Sequence, residues 1–324
     1  MFVRIAAATL SLALLVAACG IPAAETIGGS RSIDVEAHKV PLDWADAENT
    51  IVGGLRFRGG LVLNSDDPRF TELSALLVSA DGRRFVSVTD QGYWVRGGLV
   101  YDDRGNLTGV ANVTVEVLGS PDGRTLSDQL GRDSESLSPA PDGGTVVAFE
   151  GVHRLWLYPS DGGRPVVITP PADLSRAPRN GGVEALTLLA DGRFLVLTER
   201  FATEGGNVGW IGGEPGWSRL TYATGGGFKP TGATTLPGGD VLVLERRYPP
   251  IGVRIQRLAK ETIVPGATLE GEVIARLEGS LTVDNMEGID SRQGPGGETL
   301  VYVLSDDNAN PLQRTYLLMF ELIE

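Results

Sequence analysis

From residue 182 to 200 the order of apolar and polar positions spells a β-hairpin. Residues 183–189 form a first strand, Asp191-Gly192 a tight turn, and 194–200 the return. An Asp-Gly pair tolerates the positive φ angles that a short hairpin turn requires. The run Phe194-Leu195-Val196-Leu197 is unbroken apolar, which predicts a strand covered on both faces. Glu184 opens the first strand and Glu199 closes the second. In a hairpin those two positions lie at the same end, on neighbouring strands.

The pattern returns four more times. Glu72 leads through Asp81-Gly82 to Asp90, and Glu135 leads through Asp142-Gly143 to Glu150. Thr231 leads through Pro237-Gly238-Gly239 to Glu245, and Glu287 through Pro295-Gly296-Gly297 to Asp306. The openings recur about every 50 residues, and an all-strand repeat of roughly 40–50 residues is the signature of propeller blades. The expected fold is all-β, a single β-propeller of five or six blades. Strand-like runs at 51–64 and 316–322 are left over at the two ends of the repeats. Pairing N-terminal with C-terminal strands in one blade removes a free sheet edge, so these two runs are expected to close the ring.

Outer strands are expected at 95–101, 110–118, 155–158, 166–169, 220–224, 251–258 and 273–277. No stretch keeps a helical period beyond two turns. The 44 Gly and 19 Pro are spread between strands as turn punctuation. Residues 200–230, with Gly205-Gly206, Trp210 and Trp217, form the longest irregular candidate, either a lid or a long loop.

The chain begins differently. Arg4 precedes a short apolar run, 5–18, and then the only cysteine, Cys19. Such a run is shorter than the roughly 20 residues that span a bilayer, and a short apolar core ending in small residues reads as a secretory signal. Val16-Ala17-Ala18-Cys19 resembles the bacterial lipobox, in which the cysteine is lipidated. The expected organisation is a signal peptide at 1–18, a lipidated Cys19 with a flexible tether at 19–39, and the propeller at 40–324. The corresponding location is exported and lipid-anchored to the bacterial cell envelope, at the outer membrane facing the periplasm.

Charge removes several classes of partner. The formal net charge is −13, and −14 once Arg4 is gone. That argues against nucleic acid, whose phosphates need clustered Lys and Arg. Contact with membrane is expected only through the lipid anchor, and the protein is expected as a monomer. A single cysteine also forbids an internal disulfide.

If the hairpins are the inner strand pairs, their opening and closing residues ring one mouth of the channel. Glu72, Glu135, Glu184 and Glu287 open, and Asp90, Glu150, Glu199, Glu245 and Asp306 close. So many carboxylates repel one another unless some are protonated or a cation holds them. Calcium suits an all-oxygen donor set. Zinc and copper do not, because His38 and His153 are the only histidines. The candidate metal ligands are Glu135, Glu184, Glu287, Glu199, Asp306, Asp90 and Glu72. Arg200 and Arg246 follow closing acids and are candidate grips for a phosphate or carboxylate. His153 is a candidate substrate contact on the same side. The competing reading is structural, with strand-end acids accepting from turn amides of the next blade or pairing with rim arginines. It weighs most for Glu150 and Glu245.

There is no Gly-x-Ser-x-Gly elbow, no phosphate-binding Gly-Lys-Ser/Thr loop and no dinucleotide fingerprint. Several segments together are similar to the phytase-like propeller family, often labelled "esterase-like activity of phytase". They are Glu184-Ala185-Leu186 with Asp191-Gly192-Arg193, Asn285-Met286-Glu287-Gly288-Ile289, and Ser305-Asp306-Asp307-Asn308 followed by Pro311-Leu312-Gln313-Arg314-Thr315. Many members read Gly-Leu-Ser-Gly-Leu where this chain has Glu72-Leu73-Ser74-Ala75-Leu76. The resemblance implies an exported propeller with calcium-supported hydrolysis of a phosphate ester or related ester. The alternative is a non-catalytic binding or scaffold propeller at the envelope.

Overall fold

The computed structural model describes residues 29–126, 129–214 and 216–323. Cys19, the signal-like run before it and the first part of the expected tether lie outside these residues. Five sheets are arranged as five blades around a central channel. The inner strands are Leu77–Val78, Ser134–Pro139, Val183–Leu188, Lys229–Thr235 and Asn285–Gln293, for blades 1 to 5 in that order. Each packs beside the inner strands of the neighbouring blades, and blade 5 meets blade 1 to complete the circle. Each inner strand pairs antiparallel with the strand that follows its Asp-Gly or Pro-Gly turn, so the repeated hairpins are the inner pairs.

Blade 5 closes the ring as the leftover runs suggested. Its strands Asn285–Gln293, Thr299–Asp306 and Thr315–Leu322 come from the end of the chain. Leu55–Asn64 then adds from the beginning, with Leu63 opposite Thr315 and Leu55 opposite Leu322. The terminal strands therefore complete the fifth blade rather than form a sixth.

Two expectations fail. The tether does not extend to residue 39, because Arg31–Ser32 adds to the outer edge of blade 1 and Glu36–Val40 to the outer edge of blade 5. Both are mostly exposed, so they carry little apolar pattern and are held mainly by backbone hydrogen bonds, with Val40 and Ala37 of the second packing on the core. The irregular stretch is also mostly sheet. Phe194–Thr203 runs on past the apolar segment, and Gly206–Gly213 and Gly216–Ala223 are the third and fourth strands of blade 3. Its glycines are packing devices: a Cβ on Gly209 would lie 2.7 Å from Leu220 and 2.8 Å from Leu197. Trp210 is buried and donates its indole N–H to Asp173, 2.9 Å away.

The core is the set of apolar layers between adjacent blades. Leu242, Leu244, Val253 and Ile255 of blade 4 pack with Val301, Val303 and Phe320 of blade 5. Side-chain bonds tie blades together near the axis. Ser134 Oγ donates to the Thr89 carbonyl at 2.6 Å, and Thr231 Oγ1 to the Met286 carbonyl at 2.9 Å. Among the described residues no helix is long and apolar enough to cross a membrane.

Candidate functional site

A β-bulge near the start of each inner hairpin builds the site. In a bulge one strand has two residues where its partner has one, and the extra side chain is re-aimed. In blade 2 the register skips Glu135, in blade 3 Glu184, in blade 4 Thr231 and in blade 5 Glu287. In blade 1 Leu73 bridges Thr89, and counting back from Leu77 opposite Val86 leaves Ser74 as the extra residue. The blade 1 member is therefore Ser74, not Glu72. The motif shows it in retrospect, since Ser74-Ala75-Leu76 aligns with Glu184-Ala185-Leu186.

Glu72 lies two residues upstream, with positive φ. Asp307 accepts from its backbone amide, and its side chain accepts from Gln91 at 2.8 Å.

The same register fixes the closing positions. One residue beyond the bulge pair come Asp90, Glu150, Glu199, Arg246 and Asp306. In blade 4 that position belongs to Arg246, because Glu245 lies opposite Pro230, one step too early. Glu245 is fully buried between blades 3 and 4. It pairs with Arg254 and accepts from Gln256 at 2.6 Å, the structural role weighed for it from sequence.

The mouth thus gathers Asp90, Glu135, Glu150, Glu184, Glu199, Glu287 and Asp306 around one guanidinium, Arg246. Its Nη2 lies 3.2 Å from Glu287 and 3.8 Å from Glu199, bridging blades 3 and 5. Arg200 Nε stands 2.6 Å from Glu199, and Lys229 Nζ 3.9 Å. The cations crowd one side. On the other side, carboxylate oxygens of Glu135, Glu150 and Glu184 lie within 4.8 Å of one another, as do those of Asp90, Asp133 and Glu135. Asp133 was not foreseen. It precedes the inner strand by one residue, and its counterpart in blade 1 is Glu72: the Glu150 amide donates to the Asp133 carbonyl as the Asp90 amide does to that of Glu72.

Hydrogen bonding separates the members further. Glu150 accepts from the amides of Gly181 and of Gly182, the latter at 2.8 Å, so it fastens blade 2 to blade 3. Asn285 donates to Glu287 at 2.9 Å and to Asp306 at 3.0 Å. Asp90 accepts from Ser74. Glu184 is 8% exposed, and among the described residues no hydrogen bond or ion pair reaches its carboxylate. Its carboxylate converges with those of Glu135 and Glu150.

Burial disfavours the charged form, and neighbouring carboxylates add to the effect. Burial, then Glu184 and Asp90, pushes Glu135 well above the carboxylate range. Burial with Glu150 and Glu199 does the same to Glu184, and burial with Asp306 and Glu287 to Asp90. Burial raises Glu287 to about 7, restrained by Arg246, and raises Asp306 to about 8 with help from Glu287. Carboxylates whose charged form is disfavoured by burial and by one another are a competent seat for a hard cation. The donors are all oxygen, as calcium requires.

His153 stands at the rim of blades 2 and 3. Its Nε2 lies 2.9 Å from the Pro178 carbonyl, and its ring covers Gly182, where a Cβ would lie 2.4 Å from Nδ1. A cavity of about 680 Å³ opens at the other end of the channel, lined by Leu77, Leu137, Leu186, Thr235, Asp290 and Arg292. None of the residues expected in the site lies there.

The model of the phytase-like family, described as "esterase-like activity of phytase", matches residues 68–309. No curated protein matches the sequence. Among solved structures, a gluconolactonase from Xanthomonas campestris is 12% identical with a TM-score of 0.48, covering 90% of this chain and 97% of that one. Virginiamycin B lyase from Staphylococcus aureus is 12% identical with a TM-score of 0.44, covering 90% and 100%. The allergen Mala s 1 from Malassezia sympodialis is 12% identical with a TM-score of 0.44, covering 82% and 88%. Likenesses this distant carry nothing about chemistry. The family match spans most of the chain, and the protein belongs to the phytase-like family.

Proposed function

We propose that the protein is an exported, lipid-anchored, calcium-dependent hydrolase acting on a phosphate ester or related anionic ester at the acidic mouth. The observation that carries this is Glu184, a side chain only 8% exposed whose carboxylate opens on the mouth, has no hydrogen bond or ion pair among the described residues, and converges with those of Glu135 and Glu150. Leaving a buried charge unpaired is costly, so such a group belongs to a ligand rather than to the fold. Asp90, Asp133, Glu135, Glu150 and Glu184 would hold the ion. A calcium ion bound there supplies Lewis-acid polarisation of an ester oxygen and neutralises the substrate's charge.

The chain's own groups complete the site. Arg246 and Arg200 present donors from the opposite side of the mouth, where a phosphate oxygen can accept a charge-assisted hydrogen bond. Lys229 adds a point charge beside them. Glu287 and Asp306, with ordinary values displaced to about 7 and 8, can hold or release a proton near neutral pH. His153 occupies the rim, where it meets substrate before the acids do.

The alternative, a scaffold propeller with an enclosed structural ion, draws on Glu150, whose bonds to Gly181 and Gly182 join two blades. A thermal melt in EDTA and then in millimolar Ca²⁺ tests the calcium reading, followed by a screen of phosphate and carboxylate esters. A Ca²⁺-dependent rise with turnover of an ester supports the hydrolase. A rise without turnover of any ester supports the scaffold. No rise at any Ca²⁺ concentration rejects calcium.

A further inference from the structure

We infer that Arg246 is the resident counter-ion of one half of the mouth, so that the ring holds a single divalent cation, on blades 1 to 3, with an anion site on the Arg246 side. The inference rests on the cation-dependent reading of the mouth and assigns its two halves.

The geometry is a substitution within a repeat. Four of the five closing positions are acids, and the fifth, in register with them, is Arg246. The bulge position beside it is Thr231, whose hydroxyl is committed to the Met286 carbonyl. Blade 4 therefore offers the mouth no carboxylate. It offers a guanidinium that reaches Glu287 on one neighbouring blade and Glu199 on the other. Glu199 also has Arg200 and Lys229 within 4 Å. This side is neutralised by the chain itself.

The other side has no such provision. Among the described residues, Asp90, Glu135 and Glu184 make no ion pair with a Lys or Arg. Glu184 also lacks any hydrogen-bond partner, and its oxygens converge with those of Glu135 and Glu150. A cation arriving from solvent finds converging carboxylates there, whereas Asp306, which also lacks a Lys or Arg partner, accepts from Asn285 and from the Asn308 amide. An anion finds donors on the opposite side, on the guanidinium groups of Arg246 and Arg200. A substrate carrying an anionic group next to its ester is the class that fits a cation and a guanidinium facing each other across one mouth.

The test counts ions. The purified protein is freed of metal with EDTA, dialysed and titrated calorimetrically with Ca²⁺ alone, beside Arg246→Glu, Arg246→Lys and Glu184→Gln. Wild type is expected to bind one Ca²⁺ at the mouth, lost in Glu184→Gln. Arg246→Glu removes the guanidinium and places a carboxylate between Glu199 and Glu287. It is expected to bind two, and the second ion should vanish when Glu287→Gln is added. Arg246→Lys should still bind one. Two mouth ions in wild type, or one in Arg246→Glu, overturns the inference and leaves the calcium reading standing. No ion in wild type overturns both.

If Arg246→Glu does not fold, Arg246→Gln carries the test by thermal melt. The metal-free variant should lose more stability than the Ca²⁺-loaded one, because an ion can replace the missing guanidinium. Equal losses in both states would overturn the inference.

Discussion

The two ends of the channel use the same residue type to opposite effect. At the turn end, Asp81 sits below the ordinary carboxylate range, held by the Ser79 hydroxyl and the Arg83 amide. Arg193 holds Asp191 low in the same way, with Nε 2.9 Å away. These acids are solvated, surrounded by donors and content with their charge. At the mouth, Glu135, Glu184 and Asp90 are pushed the other way by burial and by the carboxylates around them. The first set shapes hairpins and favours the fold. The second opposes the fold in the absence of a cation, and a chain that keeps such a set needs a use for it.

Glu184→Gln breaks the comparison most sharply. A ligand that binds only the folded state stabilises it by about 2.7 kcal/mol at a hundredfold excess over Kd, which corresponds to a melting-temperature rise of roughly 5 °C. In Glu184→Gln this rise should disappear, while the metal-free variant melts no lower than wild type. A Ca²⁺ response unchanged by the substitution would place the ion elsewhere.

Protons should oppose metal at the mouth. Glu287 and Asp306 move from 4.5 and 3.8 to about 7 and about 8 in the folded protein. Between those limits the folded state keeps protons that the unfolded chain has released. The stability they contribute is full below about pH 4 and is lost as pH rises through 7 to 8. In EDTA the melting temperature should therefore fall by several degrees from pH 5 to pH 8.5, and saturating Ca²⁺ should flatten the fall. A metal-free protein that gains stability over this range would contradict the burial of these acids.

Glu150 belongs to neither set, being a mouth acid with one oxygen, Oε1, held by two backbone amides like a turn acid. Its donors include the amide of Gly182, against which the His153 ring lies. Gly182→Ala must displace that ring, at a cost of about 1–3 kcal/mol by the usual scale of overpacking. Thermal denaturation with His153→Ala added should recover part of the loss, and no recovery would mean the backbone itself had moved. The smallest effect is expected at the turn end. Asp191→Asn should change stability by less than about 1 kcal/mol, as for other exposed ion pairs, and should leave the Ca²⁺ response untouched. A loss of Ca²⁺ response there would erase the distinction between the two ends.

Much of the fold was legible because its signals are local. Five apolar hairpins with Asp-Gly or Pro-Gly turns declare a propeller, and two leftover strands declare how it closes. The sheet edges at Arg31–Ser32 and Glu36–Val40 were not legible, since exposed edge strands are specified mainly by backbone pairing and leave little apolar trace. Glycine made blade 3 read as loop for a related reason: Gly206, Gly209 and Gly212 allow close packing but carry no hydrophobic signal.

The sequence alone determined that acids would ring one mouth, because hairpin repeats bring strand beginnings and strand ends together. Tertiary structure decided which acids. A shift of one residue turns a side chain to the opposite face of its strand. In Glu245-Arg246-Arg247 every choice is polar, so local pattern cannot set the register. The bulge sets it, turning Glu245 inward to Arg254 and giving Arg246 to the mouth. The corresponding bulge in blade 1 seats Ser74 where Glu72 was expected, and in blade 2 the position equivalent to Glu72 is Asp133, whose carboxylate meets Glu135. Bulges and connections are fixed by packing between blades, and that information exists only once the ring has closed.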